Sequence, residues 1–379
     1  MLGIGLFATL CANLFIHSGA FLIPALQARF GMDLAGAGLI AAMPAFGMVL
    51  TLIAWGYIVD RVGERVVLAS GSALTAAAAG AAAFTHSPTM LGLFLFLGGM
   101  AAASSNSASG RLVVGWFPAE QRGLAMGIRQ TAQPLGVGLG ALVIPRLADT
   151  QGIGAALVFA AAVCVVAAAV CGVGVRDPAR VARDQAGATQ LANPYRGSAM
   201  LWRIHAVSVL LVIPQSVVWT FTLVWLMAER GWSAAAAGTL VMAGQIVGAL
   251  GRIAAGQWSD RVESRLRPIR TIAFAAAASM AVLALTDAVG SNWSVAALVV
   301  ASVVTVSDNG LAFTAIAEFA GPFWSGRALG TQNTSQLLTA GLTPPLFGAL
   351  IGAASFPVAF AVCALFPLLA VPLVPADPD

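Results

Sequence analysis

The chain reads as a succession of long apolar runs separated by short polar interruptions. A membrane-spanning helix needs about 20 mostly apolar residues. Cutting at charges and turn residues leaves twelve runs of about that length: 3–27, 37–59, 66–85, 89–115, 122–147, 153–175, 202–227, 235–258, 269–287, 293–320, 327–352 and 356–375. The longest polar interruption, 176–201, carries Arg176, Asp177, Arg180, Arg183, Asp184 and the turn pair Asn193-Pro194. It is too short and too polar for a domain. The predicted organisation is an N-terminal six-helix bundle over 1–175, a cytoplasmic linker over 176–201 and a C-terminal six-helix bundle over 202–379. The first run lacks a positively charged leader, and its apolar stretch exceeds that of a signal peptide. It is predicted to be a retained first helix.

Composition agrees with lipid as the solvent. The chain is 59% hydrophobic and 9% charged, whereas soluble domains carry roughly 25% charged residues. Its 19 basic residues are all Arg. Cys11, Cys164, Cys171 and Cys363 lie in apolar runs without metal-ligand spacing and read as small hydrophobes. The net charge of +4 is spread over short loops and gives no footprint for nucleic acid. Basic residues concentrate in cytoplasmic loops of membrane proteins. Placing the loops after the even-numbered helices on that side gives it 13 Arg, against Arg29, Arg146 and Arg230 on the other. Both termini are then expected to be cytoplasmic, and the membrane to be a bacterial inner membrane.

The two halves repeat. "GYIVDRVGER" at 56–65 matches "GQWSDRVESR" at 256–265 at an offset of 200, aligning Gly56 with Gly256, Asp60 with Asp260, Arg61 with Arg261 and Arg65 with Arg265. "GIRQTAQ" at 127–133 matches "GTQNTSQ" at 330–336 at an offset of 203. Internal repeats of this kind are typical of transporters.

Gly56, Asp60, Arg61, Gly63 and Arg65 fall in the loop between predicted helices 2 and 3. They resemble the G-x-x-x-D-R-x-G-R-[KR] signature of the major facilitator superfamily, with Glu64 where a basic residue is usual. The resemblance covers the whole chain. It implies an all-α membrane fold of twelve helices in two pseudo-symmetric bundles, and a gating role for Gly56, Asp60, Arg61, Gly63, Arg65, Gly256, Asp260 and Arg261. Physically, Asp60 sits at a helix C-terminus, where the macrodipole repels a carboxylate. It is expected to seek cations or another helix N-terminus, in a contact made in one state and broken in another. The alternative is a tight loop pinned at the membrane surface.

Charges inside a membrane are costly and mark functional sites. Arg129 and Arg252 are expected roughly 10–12 Å below the surface, at about 1.5 Å per residue. Either snorkels, forms an ion pair, or faces a cavity; together they read as an anion site, because guanidinium forks suit carboxylates and small oxyanions. "GRIAAG" at 251–256 looks like the eighth-helix Arg of organic-anion members such as monocarboxylate carriers, although Gly248 stands where those carriers have Asp. Asp308 is the acid nearest mid-depth, a candidate proton carrier unless it pairs with Arg129 or Arg252 or bonds to Asn309. Asp287 is expected to be solvated. Gln133, Gln332, Asn333 and Gln336, with Gln245 and more weakly Gln215 and Trp219, are candidate cavity-lining residues; packing between helices is the alternative. Asn13 and His17 share a face of the first helix. Pro134, Pro344 and Pro345 are expected to break their helices.

These features point to a secondary transporter, acting as a monomer, that moves a small organic or inorganic anion with protons by alternating access. Substrate would bind where the halves meet. The chain has no nucleotide-binding signature, no cofactor or metal motif and no His/Cys/Asp cluster suited to a membrane enzyme. An efflux antiporter of the same superfamily, or a transporter-like sensor, remains the alternative.

Overall fold

The structure is a computed structural model and describes residues 1–180 and 185–377; Arg183 and Asp184 of the expected linker lie outside the described residues. Its helices are α1 (Leu2–Phe30), α2 (Leu34–Val62), α3 (Glu64–Ala83), α4 (Pro88–Trp116), α5 (Ala119–Arg129), α6 (Ala132–Gln151), α7 (Ile153–Gly174), the short α8 (Ala188–Leu191) and α9 (Pro194–Gly197), then α10 (Met200–Ala228), α11 (Ala234–Arg261), α12 (Leu266–Ala288), α13 (Trp293–Val304), α14 (Asn309–Ala320), α15 (Ser325–Ala353) and α16 (Phe356–Ala370). No strand occurs among the described residues. Eleven segments among them are long and apolar enough to cross a membrane, α13 and α14 being taken together. The expected fifth segment is present as α5 followed by α6, which completes the twelve.

The ends of these helices follow local chemistry. α1 stops at Gly31, whose φ of 63° is a left-handed conformation that only glycine adopts without cost. Asp33 and Ser233 cap α2 and α11 by accepting from the N–H groups of Gly36 and Ala236, each satisfying a donor the first turn leaves orphaned. Lipid suits the outer faces: Leu142 and Leu346 are 73% and 67% exposed, which water would penalise.

The proline expectations divide. Pro134 carries no N–H for the carbonyl of Gln130, and the helix breaks at Gln130–Thr131, just before it. α15, by contrast, runs unbroken through Pro344 and Pro345. The carbonyls that lose their donors there are those of Ala340 and Gly341, and membrane helices tolerate such losses because neighbouring groups and local adjustment of the helix re-satisfy them. The expected continuous helix over 293–320 is interrupted at Thr305–Asp308. The string Asp308-Asn309-Gly310 is a turn signal, and the Asp308 carbonyl opens α14 by accepting from the N–H of Ala312.

The chain divides into two compact units. The first comprises Met1–Trp116, Thr131–Ala192 and Ala320–Thr334. In it α1 packs on α2, α4, α6 and α7, and α3 lies against α4 and α7. Ala8, Val59, Val67, Leu68, Ala108, Leu112 and Cys171 form one of its apolar clusters. The second comprises Phe117–Gln130, Asn193–Phe319 and Ser335–Asp379. Here α11 packs on α5 and α13, and α12 on α13 and α16. Its core is built on Trp225, Met280, Leu283, Leu298, Phe356 and Phe360. Asp287 is shielded rather than solvated: it pairs with Arg230 and accepts from Trp225 Nε1 at 3.1 Å.

Candidate functional site

In the second unit, α10, α11 and α13 line a partly open cavity of about 40 Å³. α10 supplies Gln215, Val218, Trp219 and Thr222; α11 supplies Leu240, Val241, Gly244, Gln245, Gly248 and Arg252. Leu298, Val299 and Ser302 of α13 and the break residues Thr305 and Val306 complete it. Arg252 is only 4% exposed. Its Nε points at the Val306 carbonyl, at 3.4 Å, one of the acceptors freed where the helix breaks. Among the described residues its terminal nitrogens make no hydrogen bond, and they are not sealed from open space. Gln245 lines the same cavity. Discontinuous helices present unpaired backbone groups at membrane depth, and transporters place binding sites there.

Asp308 lies at the end of the break, 1% exposed, and its Oδ2 has no hydrogen-bond partner. It forms no ion pair with Arg129 or Arg252 among the described residues. Next to it, the amide of Asn309 donates to Gln215 Oε1 at 3.0 Å, and Gln336 donates to Ser208 Oγ at 2.9 Å and to Asn309 Oδ1 at 3.3 Å. The structure thus gathers Gln215, Asn309 and Gln336 into one network. Arg129 is 2% exposed but does not line the cavity. Its guanidinium donates to Gln130 Oε1 at 2.6 Å and stacks over Phe313, 5.6 Å from the ring centroid. Gly127, two residues earlier, packs directly on the backbone of Arg252.

Gln133, Gln332 and Asn333 belong to the first unit. Gln133 is exposed, Gln332 is fully buried, and Asn333 donates to its own helix at Leu329 O. Asn13 donates to Thr9 O, and His17 Nδ1 lies 2.9 Å from Asn13 O. Both residues thus bond to the backbone of α1.

The duplicated loop motif makes two contacts of the same design. In the first unit Asp60, 7% exposed, accepts from the N–H groups of Gly326 and Arg327 at 2.8 and 3.1 Å, and from Arg327 Nε at 3.0 Å. Those donors open α15, so the carboxylate meets a positive helix terminus. In the second unit Asp260 accepts from the N–H groups of Gly123 and Leu124 at 2.9 and 2.8 Å, and from Arg265 at 2.6 Å. Gly123 and Gly326, like Leu124 and Arg327, differ by the same 203 positions as the other matched strings. Glycines allow the close approach. Any side chain at Gly326 would overlap the carbonyl of Gly56, and one at Gly123 would overlap that of Gly256. Arg61 and Arg261 stay exposed, Arg61 lying over the Tyr57 ring. Arg65 donates instead to Gly172 O at 2.6 Å.

Gly63 adopts a φ of 89°, and the Asp177 carboxylate occupies the place a side chain there would take. Asp177 in turn accepts from the N–H groups of Glu64 and Arg65 at 2.7 and 2.8 Å, capping α3 from the start of the linker.

Arg111 of α4 belongs to this site, and the sequence reading passed over it. It is 3% exposed, 3.4 Å from Asp60 and 3.7 Å from Glu64, and it donates to Val59 O and Pro322 O. The available signal was an Arg inside the predicted run 89–115. Glu64, fully buried, also pairs with Arg180. In the second unit Glu318 serves Arg265 at 3.1 Å and Arg122 at 3.3 Å. Burial works against the charge of Arg265, but Glu318 and Asp260 more than offset it and hold its pKa above the ordinary guanidinium value.

Comparison with known proteins agrees with this picture. The family described as Major Facilitator Superfamily matches residues 5–344. An uncharacterized MFS-type transporter of Mycobacterium tuberculosis is 58% identical over 372 residues, spanning 98% of this chain and 83% of that protein. A probable galactarate/D-glucarate transporter of Pseudomonas putida is 33% identical over 114 residues, 28% of this chain and 25% of that one. Among solved structures, the human organic anion transporter MFSD10 aligns with a TM-score of 0.77 at 16% identity, over 99% of this chain and 98% of that one. The fucose:proton symporter of E. coli aligns with a TM-score of 0.73 at 18% identity, over 97% of each chain. At such identities the solved structures show the fold.

Proposed function

Because this chain belongs to the major facilitator superfamily and is a multi-pass membrane transporter, we propose that it carries a small organic or inorganic anion by alternating access, driven by protons. Arg252 is the observation that carries the anion reading. A guanidinium with uncommitted terminal nitrogens, facing a cavity at a helix break, is costly to keep unless an anion uses it. The galactarate/D-glucarate transporter that shares a segment with this chain also handles anions, by its name. Arg129 adds a second buried positive charge on α5, which packs against α11. Gln245, and the NH2 of Gln215, whose carbonyl oxygen alone is committed, are free to orient the substrate.

Asp308 is the proposed proton carrier. Its unpartnered oxygen, shut away from water at the end of the break whose Val306 carbonyl faces Arg252, gives a carboxyl whose protonation balances the arrival of an anion. The Asp60 and Asp260 contacts are the proposed gates, made in this state and broken in the other. In this reading the halves 1–175 and 202–379 move as bodies joined by the linker 176–201, and a single chain suffices. The loops of the two motifs and both termini lie on the cytoplasmic side of an inner membrane, as the Arg distribution requires.

The test is Arg252→Gln in proteoliposomes, with a panel of carboxylates and inorganic anions and an imposed pH gradient. Uptake should be lost while the protein remains folded. Unchanged uptake removes the proposal.

A further inference from the structure

Resting on the gate reading above, we infer that the linker is a working part of the gate at Asp60. It sets both cations that hold the carboxylate, Arg111 and Arg327, and so governs how readily that contact opens; Arg180 and Trp324 are its positioning residues. All the residues concerned lie in the first unit.

The start of the linker acts through Glu64. Asp60 and Glu64 are both buried beside one guanidinium, with Arg111 Nε 3.4 Å from the first and 3.7 Å from the second. One cation cannot balance two carboxylates, and a buried charge left unpaired is costly. Arg180 removes the competition. Both of its terminal nitrogens reach Glu64, Nη1 at 3.1 Å from Oε2 and Nη2 on Oε1. This two-pronged geometry is what makes arginine–carboxylate pairs strong. With Glu64 taken up, Arg111 is left to Asp60. Asp177, three residues before Arg180, fixes the approach by accepting from the N–H groups of Glu64 and Arg65. Glu64 stands where the family signature has a basic residue, so Arg180 answers a charge that belongs to this chain rather than to the signature.

The far part of the linker acts through Trp324. In α8 the Leu191 carbonyl accepts from Trp324 Nε1 at 3.1 Å. The indole held in this way carries the Arg327 guanidinium on its face, 3.5 Å from the ring centroid, a cation–π contact. Arg327 Nε then reaches Asp60 at 3.0 Å. Leu191, Trp324, Arg327 and Asp60 thus form a path from linker to gate, each touching the next. The second copy of the motif has no such path. Ser264 stands at the position of Glu64 and Leu124 at that of Arg327, and Asp260 draws its cation from Arg265 of its own loop.

Maleimide labelling of the full chain should be read at two buried positions in turn, Ser325→Cys and Leu329→Cys, the second lying against Gly110 of α4. Each variant is measured well below its melting transition, so that labelling reports local opening. Arg180→Gln is expected to label on the order of tenfold faster than the parent, because Arg111 is then drawn between two acids. Trp324→Phe keeps a ring under Arg327 but loses the bond to Leu191, and should label about fivefold faster. Adding Glu64→Gln to Arg180→Gln should restore a rate within about twofold of the parent, since no second acid then competes for Arg111. Either single variant within about twofold of the parent at both positions overturns the inference. So does an acceleration confined to one position, or an Arg180→Gln effect that Glu64→Gln leaves in place. Asp60→Asn is the control for the gate itself. If it too labels at the parent rate, the gate reading falls with the inference; if it accelerates while the linker variants do not, the inference alone falls.

Discussion

Replacing Asp60 with Asn is the sharpest test of the gate. The carboxylate takes three hydrogen bonds, from Gly326 N–H, Arg327 N–H and Arg327 Nε, and faces Arg111 at 3.4 Å. Asn can keep both Arg327 bonds on its single oxygen. Its amide nitrogen must then meet the Gly326 N–H, donor against donor. One bond is lost and two lose their charge assistance; hydrogen bonds to charged groups contribute about 1.5–3 kcal/mol. Removing one member of a buried pair costs about 3–5 kcal/mol by a separate route, so about 3 kcal/mol is a fair working value. At about 1.4 kcal/mol per factor of ten, the engaged state should lose on the order of 100-fold in population against the open one. Ser325, 2% exposed beside the contact, reports that change when replaced by Cys. The four native cysteines are buried and unpaired, so maleimide labelling should read the new thiol. The expected result is labelling faster by on the order of 100-fold in Asp60→Asn, with Arg65→Gln, whose side chain lies outside the contact, close to the parent. Equal labelling in the presence and absence of the carboxylate, with both proteins folded, would refute the reasoning.

Asp260→Asn should release Gly123 and Leu124 with a similar loss, measured by the same labelling strategy at Ala125→Cys, a position 2% exposed beside the contact; a difference of several orders of magnitude between the two copies would break the symmetry argument. Gly326→Ala forces a methyl group into the Gly56 carbonyl and should weaken the engaged state by about 1–3 kcal/mol, read as faster labelling at Ser325→Cys. Asp308→Asn should leave substrate binding in place and abolish the response of uptake to an imposed pH gradient; preserved acceleration by the gradient would rule out its proton role. Asp177→Ala uncaps α3 and should cost about 1 kcal/mol, visible as a melting temperature lower by about 2–4 °C.

The twelve segments were legible because apolar length alone marks a membrane span. What interrupts those spans was harder to read. Pro134 gave a correct warning of the break before it, whereas Pro344 and Pro345 gave a false one, because helices packed within a membrane re-satisfy the carbonyls that proline frees. The break at Thr305–Asp308 had a turn signal that the surrounding apolar residues outweighed. The repeat showed that Asp60 and Asp260 would act alike, but not what they would touch. Their partners are backbone N–H groups of Gly326, Arg327, Gly123 and Leu124, and a backbone donor leaves no trace in residue identity. Arg111 escaped for a related reason: it lies close to the end of its run, where a basic residue reads as a membrane-surface anchor.

The glycine pairs at the two gates have a kinetic consequence. Where Gly56 meets Gly326 and Gly256 meets Gly123, main chain rests on main chain. Interlocked side chains must turn through rotamer barriers before two helices can part; bare peptide faces have nothing to disentangle. Such a seam can close tightly and still open quickly, the resistance coming almost wholly from one carboxylate on each side, so that the strength of the lock is tuned by charge without changing the smoothness of the hinge.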